Sequence, residues 1–342
     1  MKKLQNVLYV LTPDSYLFCQ NEAIGIKIGG VEKARIPSHT IESILCFGNT
    51  TVSTPFIAFC GERNIGLSFL SDYGKFYGRI YGPVSGNVLL RKKQYDAIND
   101  EKISALIVKT ILYAKFANSR MVLMKSAREQ TDETRKSNLV KAAEKIARTA
   151  SLLDTAFDID SMRGLEGNAA SDYFSAFDDM IKLQESELVF EKRSRRPPEN
   201  EVNALLSFLY MLLKNDVQSA LECVGLDPAA GFLHALRPGR PSLALDLMEE
   251  LRAPLCDRLA LSLINLKQIK AKDFEVESGR FILSDKARRM VIDQWQKRKK
   301  EEIMHPFFEQ KIEIGLIPYA GAQLFARVIR GDLDEYPAFH WR

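Results

Sequence analysis

A single change of hydrophobic rhythm divides this 342-residue chain. Up to about residue 80 the apolar residues come in short β-branched and aromatic runs, VLYVLT, SYLFCQ and GIKIGG, separated by Pro13-Asp14, Asn21-Glu22 and Gly29-Gly30. Runs of that length between turn formers predict strands. A further strand is expected at Ser43–Phe47, and one short helix at Thr54–Arg63 with Pro55 in its first turn. The segment IGLSFLSDYGKFYGRI predicts a hairpin turning at Asp72-Tyr73-Gly74. After Gly82-Pro83 and Ser85-Gly86 the spacing becomes helical: Asn99-Asp100 is a capping signal ahead of Ile103, Leu106, Ile107 and Ile111. Helical spacing then persists to the C-terminus, with breaks expected near 158–161, 193–199, 226–231 and 237–241. A hairpin is expected at 274–283, turning at Ser278-Gly279. The expected fold class is α+β, with a small β-rich domain over residues 1–90 and a larger, mostly α-helical domain over 91–342.

Composition narrows the class without naming a function. A hydrophobic share of 46% and a charged share of 27% suit a chain able to bury a core, and exclude collagen-like and disordered classes. Lys+Arg 48 against Asp+Glu 44 leaves +4, so the placement of charge matters more than its sum. No apolar run of membrane-spanning length is present, and the basic start Met1-Lys2-Lys3 is followed by no secretory pattern. The five cysteines (Cys19, Cys46, Cys60, Cys223, Cys256) are scattered and form no CxxC pair. Reduced thiols in a cytoplasm are the expectation.

Of four histidines, His39, His305 and His340 stand apart from any acidic pattern, whereas His234 lies in GFLHALRPGRPSLALDLMEELRAP. Asp246, Glu249 and Glu250 follow it at i, i+3 and i+4 on one helical face, roughly opposite Leu243, Leu247, Met248 and Leu251. Two readings stand: imidazole and carboxylates brought together on one divalent ion, or the solvated face of a surface amphipathic helix. A second segment, SMRGLEGNAA at 161–170, sets Glu166 about one turn into a helix capped by Asp160 or Ser161. Gly164 and Gly167 each cost about 1 kcal/mol relative to Ala in a helix interior. They suggest close approach of a backbone or a ligand, with plain helix packing as the alternative. A third feature is basic: EKRSRRPP at 191–198, KARR at 286–289 and KRKK at 297–300, with Arg237 and Arg240 between His234 and the acids. Guanidinium groups fork onto phosphate oxygens, although a basic helix end is also an ordinary complement to the helix dipole.

At these residues the sequence resembles the CRISPR-associated integrase, the metal-dependent endonuclease of spacer acquisition. RGLEGNAA at 163–170, RRPPENEVNALLSFLY at 195–210, GFLHALRPGRPSLALDLMEELR at 231–252 and the β-rich N-terminus carry the likeness, in order and over essentially the whole chain. The hairpin GKFYGRI is similar to the I-C-type members in particular. The resemblance implies Glu166, His234 and Glu249 as catalytic metal ligands for Mg²⁺ or Mn²⁺. Glu249 stands where the family often has Asp, so that either Glu249 or Asp246 makes the closest contact, and Asp246 is otherwise a neighbour supporting the ligands. Arg163, Arg237 and Arg240 are candidate phosphate clamps by position. The implied activity is 3′-OH attack of a spacer-precursor DNA duplex on a phosphodiester of the CRISPR repeat, or water attack in nuclease mode. The implied partners are DNA, a second copy of the chain dimerised through the β-rich domain, and the second CRISPR-associated adaptation protein. A non-catalytic DNA-binding scaffold of the same fold is the alternative, and a metalloenzyme acting on a small molecule is a third reading.

Overall fold

The structure is a computed structural model that describes residues 7–41, 43–71, 76–80, 82, 88–182 and 188–341. It resolves into two compact units: residues 1–87 with 288–301 and 313–316, and residues 88–287 with 302–312 and 317–342.

The first unit begins with strands β1 (Val7–Val10), β2 (Ser15–Gln20), β3 (Ala23–Ile28), β4 (Val31–Pro37), β5 (Ser43–Phe47) and β6 (Thr50–Val52). Helix α1 (Thr54–Glu62) follows, then β7 (Gly66–Leu70) and β8 (Phe76–Ile80). Two four-stranded sheets form, ordered β1-β5-β7-β8 and β4-β3-β2-β6. Three contacts are parallel, β1 with β5, β5 with β7 and β2 with β6, so the unit is not a run of hairpins. Strands β4 and β6, which no clear alternation announces, complete the second sheet. Ser53 caps α1 by accepting the Phe56 amide at 3.2 Å, with Pro55 in the first turn. Phe56, Phe59 and Cys60 of α1 join Val10, Leu17, Ile24, Ile44, Cys46 and Leu67 in one buried core. Burial pushes the Cys46 and Cys60 thiols up to about 12, which leaves both unreactive. The expected turn at Asp72-Tyr73-Gly74 lies outside the described residues.

The second unit is built on helices α2 (Val88–Asn99), α3 (Glu101–Glu129), α4 (Glu133–Leu152), α5 (Ile159–Ser175) and α6 (Glu201–Cys223). Asp100, Asp132, Asp158 and Asn200 cap the last four through their side chains, each accepting early amides of its helix. After α6 the chain runs irregularly to α7 (Ser242–Leu247), α8 (Glu249–Leu251), a π turn (Arg252–Asp257) and α9 (Arg258–Asn265). Pro254 inside that stretch lacks an amide to donate, and the ladder loosens there into i→i+5 spacing. The hairpin β9 (Phe274–Glu277) and β10 (Arg280–Leu283) turns at Ser278 and Gly279, both with positive φ. Helix α10 (Asp285–Lys299) belongs from Arg288 onward to the first unit, and strands β11 (Glu302–Met304) and β12 (Lys311–Glu313) and helix α11 (Ile317–Arg330) complete the chain. Among the described residues no helix is long and apolar enough to cross a membrane.

Three local expectations change. Asp158, not Asp160 or Ser161, caps α5, which puts Glu166 about two turns into the helix. A Cβ on Gly164 or Gly167 would meet no atom of another element within 4 Å, so neither glycine marks the close approach of another backbone. Asp246, Glu249 and Glu250 are buried rather than solvated, because α7 and α8 lie inside the unit rather than on its surface.

Candidate active site

Four stretches of the second unit converge. Gly231 opens the loop that carries His234, and a Cβ there would lie 2.6 Å from the backbone of Ser242 and 2.7 Å from Asp246 Oδ2. Only glycine permits this approach of the loop to α7. Fully buried Asp246 then holds the loop from inside. Its Oδ2 accepts the amides of Phe232 (2.6 Å) and Leu233 (3.0 Å), and its Oδ1 accepts the His234 amide (2.9 Å). The His234 ring adds a fourth bond, Nδ1 to Oδ1 at 2.6 Å. Because a carboxylate only accepts, Nδ1 carries a proton, and Nε2 is the ring nitrogen left to face a ligand. That nitrogen stands 3.8 Å from Glu249 Oε1. Asp246 is therefore saturated by the loop that it orients.

Glu249 is 3% exposed, yet its surroundings are cationic. Arg252 Nη1 pairs with Oε1 at 2.7 Å, and Lys115 Nζ lies 2.8 Å from Oε2. Burial alone would raise this carboxyl, but Arg252, Lys115 and His234 outweigh it and hold it at about 2. The same Lys115 ammonium donates to Glu166 Oε1, so one cation touches a carboxylate of α5 and a carboxylate of α8. The Lys115 ammonium also sits 2.8 Å from Glu249 Oε2, so that buried oxygen is met by a positive charge from α3.

Behind Glu249 stands a second layer. Arg252 stacks on Tyr210, its guanidinium carbon 5.2 Å from the ring centre. The hydroxyls of Tyr210 and Tyr173 donate to buried Asp257 at 2.7 and 3.0 Å. Burial pushes Asp257 up to about 6 against those bonds. Lys115, Tyr173, Arg195, Tyr210, Glu249 and Arg252 share one small cleft here.

The adjacent Glu250 faces the other way. Its oxygens accept Tyr336 Oη and the Phe339 amide, both at 2.8 Å, and burial raises it to about 8. Asn118, three residues after Lys115 on α3, donates to the carbonyls of Glu250 (2.7 Å) and Phe339 (2.8 Å) and accepts the Trp341 amide (2.8 Å). The C-terminal segment thus fastens α8 to α3.

The arginines separate by role. Arg163 has a structural part: Nε donates to the Leu233 carbonyl at 2.6 Å and Nη1 to Asp160, tying α5 to the His234 loop. Arg193, read in the sequence as part of a basic loop, turns inward onto Asn203 Oδ1 (2.7 Å) and Ser207 Oγ (3.2 Å). Arg237 is exposed and Arg240 half-buried. Partial burial lowers Arg240, and the positive fields of Arg237, Arg196 and Arg163 lower it further against the opposing pull of Asp246. Four guanidinium groups therefore add to one positive field around Arg240.

Among the described residues no three His, Cys, Asp or Glu side chains form a ready-made metal cage. The donor set nevertheless fits a divalent ion. Two carboxylates and an imidazole nitrogen meet here, one of the carboxylates is deeply buried, and a cation already sits between the acids. Sequence reasoning missed Lys115, Arg252, Tyr210 and Asp257. For Lys115 a signal existed: it lies on the same stripe of α3 as buried Ile111, Leu112, Ser119 and Val122, where a charge needs a partner.

Residues 8–297 match the family described as CRISPR associated protein Cas1. The CRISPR-associated endonuclease Cas1 1 of Chlorobaculum tepidum is 45% identical over 343 residues, covering 100% of both chains. Two solved structures share the fold. One is a Cas6-RT-Cas1–Cas2 complex, with TM-score 0.84 and 22% identity over 100% of this chain and 36% of the other. The other is a casposase bound to an integration product, with TM-score 0.83 and 20% identity over 98% and 95% of the two chains. A family profile over most of the chain and a relative of matching length carry the assignment: this chain belongs to the Cas1 family of CRISPR-associated proteins.

Proposed function

We propose that this chain is a metal-dependent DNA endonuclease and integrase of CRISPR spacer acquisition, with Glu166, His234 Nε2 and Glu249 as the ligands of one Mg²⁺ or Mn²⁺. The observation that carries the reading is the meeting of Glu166 and Glu249 on one ammonium, with His234 turned toward Glu249 by Asp246. When bound, the ion supplies Lewis acidity to the scissile phosphodiester and to its leaving oxygen. The imidazole makes Mn²⁺ at least as natural as Mg²⁺. Asp246 fixes the tautomer and ring direction of His234, the supporting role of a carboxylate behind a metal-bound histidine. Arg252 holds Glu249 in its ionised form.

Arg237 and Arg240, with the field of Arg196 and Arg163 behind them, position the phosphate backbone beside the ligands. In integration a DNA 3′-oxygen forms the new phosphodiester with a repeat phosphate while the old 3′-oxygen leaves; in hydrolysis water attacks the same phosphorus. The name endonuclease on the full-length relative and the integration product held by a casposase of the same fold support this chemistry. The Cas1–Cas2 complex supports a second adaptation protein as partner. Homodimerisation through the N-terminal β-rich region (residues 1–90), catalysis within 91–342 and a cytoplasmic setting complete the proposal.

The test is strand joining of a short duplex into repeat DNA, with Mn²⁺ and with EDTA. Glu166→Ala, His234→Ala and Glu249→Ala should each abolish joining in folded protein. Joining that persists in all three excludes this active site, whereas wild-type protein that binds DNA but neither nicks nor joins it with Mn²⁺ leaves the non-catalytic scaffold as the reading.

A further inference from the structure

Lys115 is no member of the ligand set Glu166, His234 and Glu249, yet its geometry gives it a part in that centre, a part that rests on the metal reading. Its side chain is nearly buried on α3, and Asn118 one turn on pins that stretch to the carbonyls of Glu250 and Phe339. The ammonium is therefore placed by the fold, unlike that of a surface lysine. It reaches both Glu166 and Glu249, whereas Arg252 touches only Glu249 and is stacked against Tyr210. Two carboxylates facing one interior point need a cation there, because an uncompensated buried charge is strongly destabilising. Lys115 meets that need with the same carboxylates that would hold the metal.

We infer that Lys115 is the built-in counter-cation of the metal centre: its ammonium and the divalent ion contend for the oxygens of Glu166 and Glu249, and this competition sets how weakly the protein holds its metal. Arg252 pairs with Glu249 Oε1 from the Tyr210 side, so the exchange is lysine for metal and leaves that ion pair in place. The fold is then independent of metal, and loading requires the ammonium to withdraw. Removing the lysine raises the free energy of the metal-free state alone and tightens metal binding.

The experiment is a titration of the full-length protein with Mn²⁺, followed by the electron paramagnetic resonance signal of the free ion. It compares wild type with Lys115→Met and Lys115→Gln, and with Glu166→Gln in the wild-type and Lys115→Met backgrounds. Both Lys115 variants should bind Mn²⁺ about tenfold or more tightly than wild type. They should also melt lower in EDTA and gain more on adding Mn²⁺. Lys115→Gln, which keeps a hydrogen-bond donor, covers the case in which the Met variant fails to fold. Unchanged or weakened affinity in the Lys115 variants, with binding still lost in Glu166→Gln, overturns the inference and leaves the metal reading intact. Binding unaffected by Glu166→Gln overturns both. A lysine that served packing alone would not tighten the site when removed.

Discussion

Glu249 and Glu250 are neighbours on one short helix, both buried, and they experience opposite interiors. Glu249 looks toward Arg252, Lys115 and His234, and it is held at about 2. Glu250 looks toward a tyrosine hydroxyl and an amide of the C-terminal segment, and burial carries it up to about 8. The difference shows that burial does not decide whether an acid is charged; the nearest formal charge does. It also assigns the two sides of α8, one to chemistry and one to anchorage.

The largest expected effect breaks the charged side. Glu249→Gln keeps the volume and removes the anion, and metal-dependent joining should fall by about a thousandfold or more. Glu250→Gln should leave joining within about threefold in the same assay, so equal losses would erase the distinction. Asp246→Ala frees three amides and the His234 ring together, and Mn²⁺ affinity should drop about 10- to 100-fold. Titration of the folded variant measures that drop.

On the anchoring side, Asn118→Ala leaves the carbonyls of Glu250 and Phe339 and the Trp341 amide unpaired. A loss of about 2 kcal/mol in denaturant unfolding is expected. The pH dependence sharpens the contrast. A raised Glu250 contributes stability that is full below about 4.5 and is lost as pH rises through about 8, because the folded state keeps a proton the unfolded chain releases. Depressed Glu249 does the reverse: its contribution is full above about 4.5 and is lost as pH falls toward 2. Glu250→Gln should therefore flatten the fall of melting temperature between about pH 5 and 8. The smallest effect belongs to the rim, where Arg240→Ala should weaken DNA binding uniformly across sequences and lower its salt slope by about one.

Much of this was legible in the sequence because it depends on local pattern. The strand-to-helix change near residue 82, α1 with its Pro55 start and the Ser278-Gly279 hairpin follow from turn chemistry and periodicity. His234 and the acids after it stand out through their spacing in one segment. The parallel pairings of β1, β5 and β7 did not, since parallel partners are distant in sequence and leave no turn signal between them. The amphipathic pattern of α7 and α8 suggested a wet face because periodicity cannot show that the C-terminal segment, some 90 residues later, covers Glu250. Arg163 reads as a phosphate clamp by proximity; its bonds to the Leu233 carbonyl and Asp160, which tie α5 to the His234 loop, are contacts that only tertiary structure reveals.

The central claim is that Glu166, His234 and Glu249 hold one catalytic ion, and anomalous diffraction at the manganese edge from Mn²⁺-soaked crystals tests it most directly. The expected result is a single strong peak within bonding distance, about 2.0–2.3 Å, of Glu166, His234 Nε2 and Glu249, with the Lys115 ammonium displaced from between the two acids. A peak bound elsewhere, or no peak in this site at millimolar Mn²⁺, would contradict it.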